Sequence, residues 1–160
     1  MAESEQDKTF MARAVELARE GADRNDGGPF GCVIVKDGSI VGEGCNQVTS
    51  TNDPTAHAEI VAIRDACSNL KSFQLDGCVI YTSCEPCPMC LGAIYWARPE
   101  GIFFAGTRED AAAAGFDDEL IYKELDKPND ERMLRMNPLM RDAAVKVFRQ
   151  WQNKSDKIEY

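Results

Sequence analysis

The only histidine of this 160-residue chain stands in His57-Ala58-Glu59, and two cysteines share one helical turn in Pro86-Cys87-Pro88-Met89-Cys90. No other imidazole can compete for a task that needs one. An imidazole and a Cys-x-x-Cys pair are three ligands of the nitrogen and sulfur type that suits zinc, with iron as an alternative occupant. Any fold that uses them must bring position 57 beside positions 87 and 90. Both segments are predicted at helix N-termini, where unpaired N–H groups and the helix dipole favour thiolate over thiol. Three ligands leave a fourth position for water, whose pKa zinc lowers to about 7. Glu59 is too close to His57 to be an obvious fourth ligand and is well placed to carry a proton. The competing reading is a closed structural site with Cys84 as fourth ligand, which would leave Glu59 without a role.

The periodicity along the chain places these segments. Apolar residues at helical spacing (Phe10, Ala14, Leu17, Ala18) predict a helix over 10–20, with Gly21 as a possible stop. Asn25 to Pro29 is a breaker-rich loop. Residues 30–36 and 39–46 read as strands joined by the hairpin signal Asp37-Gly38. After a polar loop over 47–55, Asp53 and Thr55 are N-cap candidates for a helix over 56–70, with Ile60, Ile63 and Cys67 as its core stripe. Residues 78–83 form a buried-type strand, 91–97 a helix with Pro88 suited to a first turn, and 101–106 a further strand. Helical segments are expected over 109–114 and 116–125, a loop over 126–131, a short edge strand at 132–137 and a helix over 138–154. The last of these presents Met140, Ala144, Val147, Phe148 and Trp151 on one face. A hairpin followed by alternating helices and strands predicts an α/β layer fold, a mixed sheet with helices on both faces.

Length suits a single domain over 1–160, with 155–160 as a carboxy-terminal tail. The net charge of −9 weighs against gripping a nucleic-acid backbone. The polar, acidic start is unlike a secretory signal, and an apolar run long enough for a membrane span is absent. Seven cysteines, an odd number, favour free thiols in a reducing cytoplasm. Cys32, Cys45, Cys67 and Cys78 read as buried packing residues.

Gly28-Pro29-Phe30-Gly31, Asp53 to Glu59 and Thr82 to Cys90 together resemble the cytidine-deaminase-like superfamily. Asp53 to Ile60 alone fits tRNA adenosine deaminases equally well. Leu91 to Pro99, Ala114 to Asp118 and the terminal Glu159-Tyr160 resemble the bacterial-type guanine deaminases. That resemblance implies a three-layer α/β/α sandwich, one zinc per subunit, and a homodimer whose carboxy-terminal segments can be exchanged. It implies hydrolysis of a small purine, guanine, to xanthine and ammonia in purine salvage or catabolism. Residue by residue, it places the zinc ligands on His57, Cys87 and Cys90 and the proton shuttle on Glu59. Asp118 falls on the carboxylate facing the departing amine, Asn46 on a purine hydrogen-bonding residue, Phe30 and Trp96 on pocket aromatics, and Tyr160 on the closing tail. By type alone Asn46 would be a turn residue, Phe30 and Trp96 core aromatics, the two aspartates helix caps and Tyr160 a frayed end. Guanosine deaminases share the pocket pattern, and only room for ribose separates them. A tRNA or pyrimidine deaminase fits less well, and a non-catalytic binding subunit would be expected to lack Glu59 or a metal ligand. No nucleic acid or membrane partner is expected.

Overall fold

The structure, a computed structural model, describes residues 4–160. The chain divides into two compact units, one reaching to Asp118 and one spanning Glu119–Tyr160.

The first unit begins with α1 (Glu5–Asp23), which starts earlier than its apolar stripe suggested. Ser4 accepts from the Asp7 N–H while the Asp7 carboxylate accepts from the Ser4 N–H, a capping box that nucleates the helix before any apolar residue. The helix also runs through Gly21, which is buried and ends nothing. The hairpin β1 (Gly31–Lys36) and β2 (Ser39–Cys45) turns on Asp37 and Gly38, both at positive φ as a two-residue hairpin requires. A single helical turn, α2 (Val48–Thr51), lies inside the expected loop. Then follow α3 (Ala58–Leu70), β3 (Cys78–Cys84), α4 (Pro88–Ala97), β4 (Gly101–Gly106) and α5 (Arg108–Ala113).

The four strands form one mixed sheet in the order β2-β1-β3-β4. β1 is antiparallel to both β2 and β3, whereas β3 and β4 are parallel. Alternation along β1 feeds two cores. Cys32 and Ile34 join Ile80, Leu75, Ile94 and the alanines of α3, while Val33 and Val35 join Tyr81 and the α1 residues Ala14 and Leu17. The sheet therefore lies between helical layers, as the alternating pattern predicts. Burying a side chain such as Ile34 or Ile80 is worth roughly 1.5–3 kcal/mol.

The seating of α3 differs from the expected stripe. Its fully buried face is Ala58, Ala62 and Ala66, with Ile63 and Cys67 only partly buried beside the core. The reason lies on β2. A Cβ at Gly44 would stand 2.4 Å from the Ala58 carbonyl oxygen, and one at Gly42 would stand 2.6 Å from that of Ala62. Two glycines facing three alanines let helix and strand backbones touch. On the outer edge of β2, Asp65 accepts from the Glu43 N–H at 3.0 Å and Asn69 Nδ2 donates to the Val41 carbonyl at 2.9 Å. These bonds sit beside the register shift of the hairpin and satisfy edge groups that a sheet would otherwise leave open.

The second unit holds α6 (Glu119–Leu125), a 3₁₀ turn at Asn129–Glu131 and α7 (Arg141–Gln152). Residues 132–137 form no strand; Arg132 instead donates to carbonyls of Glu124, Leu125 and Lys127, which ties this stretch to the end of α6. The apolar face of α7 exists, yet Met140, Val147, Phe148 and Trp151 are all exposed. Among the described residues, no helix is long and apolar enough to cross a membrane.

Candidate active site

Two helix N-termini supply the site. His57 is the N-cap residue of α3 and Cys87 that of α4, with Pro88 at the first helical position and Cys90 in the first turn. Neither side chain caps its helix in the ordinary way; His57 turns to the two sulfurs, and the Cys87 sulfur is held by Cys90 in the first turn of α4. The expected N-cap Asp53 does another job. Its carboxylate accepts from the Thr55 N–H at 2.8 Å and hydroxyl at 2.7 Å, closing the turn that delivers His57.

His57 Nδ1 lies 3.6 Å from Cys87 Sγ and 3.5 Å from Cys90 Sγ. A tetrahedral zinc with ordinary zinc–sulfur and zinc–nitrogen bonds separates such atoms by about 3.6 Å. Both nitrogen–sulfur separations thus match the edges of a zinc tetrahedron, and the three ligand atoms all lie within 4.8 Å of one another. They are the one set of this kind among the described residues, and Cys84 is outside it. The Cys84 thiol faces the Thr107 carbonyl, and burial pushes its pKa up to about 11. Three ligands with an open fourth position mark a catalytic site, not a closed structural one.

The electrostatics agree. The Cys90 thiol and His57 hold a negative charge on Cys87, whose pKa is lowered to about 4. The same Cys87 sulfur and burial push Cys90 up, and hydrogen bonding to Cys87 pushes His57 up. Cys90 and His57 are pushed toward their protonated forms, and a divalent ion displaces those protons, so metal uptake releases them.

Glu59, at 6% exposure, is a buried carboxyl in the first turn of α3. Burial pushes its pKa up, opposed by its own backbone N–H and by the Cys90 thiol. The Thr82 hydroxyl stands 3.3 Å from its Oε1. A carboxyl whose pKa burial raises, standing beside a metal set, is suited to taking up and returning protons.

The other residues named from the sequence lie on several elements. Asn46, at the end of β2, is 6% exposed, and its Oδ1 accepts from the Val48 N–H at 3.1 Å. That bond commits the amide oxygen inward and leaves Nδ2 as a donor. The Asn46 N–H donates to the Phe30 carbonyl at 3.0 Å, which ties these two residues together. Phe30 meets Phe116 edge to face, with ring centroids 4.9 Å apart. Gly28 lies so close that a Cβ there would come within 3.1 Å of both rings. Asp118 is half-buried; desolvation raises its pKa, with a further rise from the nearby Cys87 charge. Trp96 lies on the exposed side of α4 at 65% exposure. Tyr160 belongs to the second unit and is exposed. Phe116 and Thr82 were not singled out by sequence reasoning. Thr82 carried little signal, since Tyr81 and Ser83 on either side of it also bear hydroxyls.

An open zinc tetrahedron beside a buried glutamate defines a metal-dependent hydrolase centre. The chain belongs to the cytidine and deoxycytidylate deaminase family, whose zinc-binding region matches residues 4–106. Guanine deaminase of Bacillus subtilis is 58% identical over 153 residues, covering 96% of this chain and 98% of the relative. The X-ray structure of the Bacillus subtilis guanine deaminase superposes with a TM-score of 0.93 at 57% identity, covering 96% and 98% of the two chains. The tRNA-specific adenosine deaminase of Buchnera aphidicola is more distant, 38% identical over 145 residues, 91% of this chain and 93% of that one.

Proposed function

We propose that this chain hydrolyses guanine to xanthine and ammonia. The observation that carries the reading is the 58% identity to a guanine deaminase along nearly the whole chain, set against 38% to a tRNA deaminase. The net charge of −9 also suits a free base better than a phosphate-lined polymer.

His57, Cys87 and Cys90 hold the zinc, one per subunit. When bound, the ion acidifies water to a pKa of about 7. Glu59 takes a proton from the attacking water as the water oxygen bonds to C2 of the purine. The proton passes to the ring nitrogen beside C2. Glu59 then takes the proton of the hydroxyl now on C2 and passes it to the exocyclic nitrogen, the carbon–nitrogen bond breaks, and ammonia leaves with the bonding pair. Asp118 accepts from the 2-amino group and orients it for departure. Asn46 Nδ2 donates to an acceptor on the purine edge, and a site built for that bond penalises bases lacking the acceptor. Phe30 and Trp96 offer flat apolar walls to a flat ring.

The whole chain acts as one deaminase domain, with 155–160 as a closing tail that brings Tyr160 over an active site. The protein is a homodimer that exchanges its carboxy-terminal segments. This is supported by the exposed apolar residues of α6 and α7, among them Leu120, Ile121, Val147 and Phe148. It works in the cytoplasm, in purine salvage or catabolism. A monomeric mass in solution would refute the exchange.

Ammonia release from zinc-loaded protein, with guanine, guanosine, cytosine and adenine side by side, tests the reaction. Turnover of guanine alone is expected. Turnover of guanosine with guanine inert would move the enzyme to nucleosides and refute the closing tail.

A further inference from the structure

Thr82 is 1% exposed in the middle of the sheet. Its register partner on β1 is Cys32, and both lie on the side of the sheet covered by α3. Strand packing gives no reason for a hydroxyl here. Valine has the same shape and favours strands equally well. The hydroxyl does have one polar neighbour, Glu59 Oε1, at 3.3 Å. That is long for a hydroxyl–carboxylate bond, as contacts in an active site often are before substrate fills it. The Cys32 thiol points to the Val33 carbonyl, while the Glu59 backbone N–H and Cys90, itself a member of the metal set, also bond the Glu59 carboxyl, so Thr82 is the one partner of that carboxyl drawn from the sheet.

We propose that Thr82 is a positioning residue that gives the two oxygens of Glu59 different jobs. Its hydroxyl pins Oε1, so Oε2 alone faces the water and the purine and moves the protons. This rests on Glu59 being the proton carrier. A carboxylate free to turn would spend part of its time with neither oxygen aligned. A fixed one meets the reacting atoms in a single geometry, which is where orientation gains arise. The hydroxyl comes from a central strand, a rigid element, which suits a supporting partner.

The test compares Thr82→Val, which keeps the shape and loses the hydroxyl, with Thr82→Ser, which keeps the hydroxyl. In Thr82→Val, kcat should fall roughly 10- to 100-fold, KM should stay within about twofold and zinc content should not change. Thr82→Ser should recover most of kcat. If Thr82→Val fails to fold, Thr82→Ala takes its place, since Ala and Ser both lose the methyl and only Ala loses the hydroxyl. A second readout needs no turnover. The infrared difference between wild type and Glu59→Gln isolates the Glu59 carboxyl stretch, which should shift in Thr82→Val and stay in place in Thr82→Ser. An unshifted band, or a serine variant as impaired as valine, overturns the proposal. A shifted band in a protein inert toward guanine would keep Thr82 in this role and discard the guanine reading, so the two fail separately.

Discussion

Replacing Gly44 with alanine tests how the fold holds the metal set. The new Cβ would stand 2.4 Å from the Ala58 carbonyl oxygen and 2.6 Å from the Ala62 nitrogen, where ordinary contact begins at 3.4 Å. Both atoms are helix backbone and cannot rotate away. The first turn of α3 must therefore retreat by about 1 Å, or β2 must bend by as much. Overpacking of this kind costs about 1–3 kcal/mol, which for a chain of this size lowers Tm by roughly 3–10 °C. His57 immediately precedes Ala58 and moves with it. Metal–ligand distances tolerate only about 0.2 Å, so zinc affinity should fall, and turnover with it by about 100-fold. Gly42→Ala is the control. It presses on the Ala62 carbonyl oxygen at 2.6 Å and the Ala66 nitrogen at 2.7 Å, one turn further from His57. It should cost similar stability and less zinc. The assays are thermal unfolding and zinc stoichiometry after dialysis against a chelator. A Gly44→Ala protein that melts lower but holds one zinc per chain as tightly as wild type would refute the coupling between strand packing and the metal set.

Glu59→Gln should keep its zinc and lose ammonia release by about 10²- to 10⁴-fold; zinc loss as complete as in Cys87→Ser would instead make Glu59 a structural ligand partner. Asp118→Ala should lower kcat/KM for guanine by roughly 10- to 100-fold, and a wild-type value would remove Asp118 from the site. Asp53→Ala should destabilise the turn before His57 in a pH-dependent way. Hydrogen bonds from Thr55 hold the Asp53 pKa below its ordinary 3.8. A lowered pKa contributes stability above the unfolded value, lost as pH falls through the folded one. The Tm gap between wild type and Asp53→Ala should therefore be full at pH 6 and shrink once pH drops below 3.8. A gap that stays constant into that range would assign it to packing.

What could be read along the chain was local. The Cys87-x-x-Cys90 turn and the Pro88 start need only a helix N-terminus, and the structure places them on one. Asp37-Gly38 needs only two positive φ values. The stripe of α3 was read only in part: Ile60, Ile63 and Cys67 repeat at helical spacing, and Ile63 and Cys67 do pack beside the core, whereas the glycines of β2 select the alanines for its fully buried face. The N-cap of α3 was misread because an aspartate two residues before Thr55 can cap a turn as readily as a helix. The strand expected at 132–137 did not form, since Arg132 binds the end of α6 instead.

The sequence by itself determined the metal chemistry: one imidazole, two thiolates and a carboxylate in spacings that leave few other uses for them. The order of helices and strands followed from periodicity, because burial of a stripe or a face is a one-dimensional pattern. Only the tertiary structure decided that His57 Nδ1 lies 3.5–3.6 Å from both sulfurs, that the Asn46 oxygen faces the Val48 N–H, and that Thr82 stands under Glu59. These depend on the register of β1 against β3 and on how closely α3 approaches β2. Such distances between segments far apart in the chain are set by close packing, and packing has no signature in the order of residues along it.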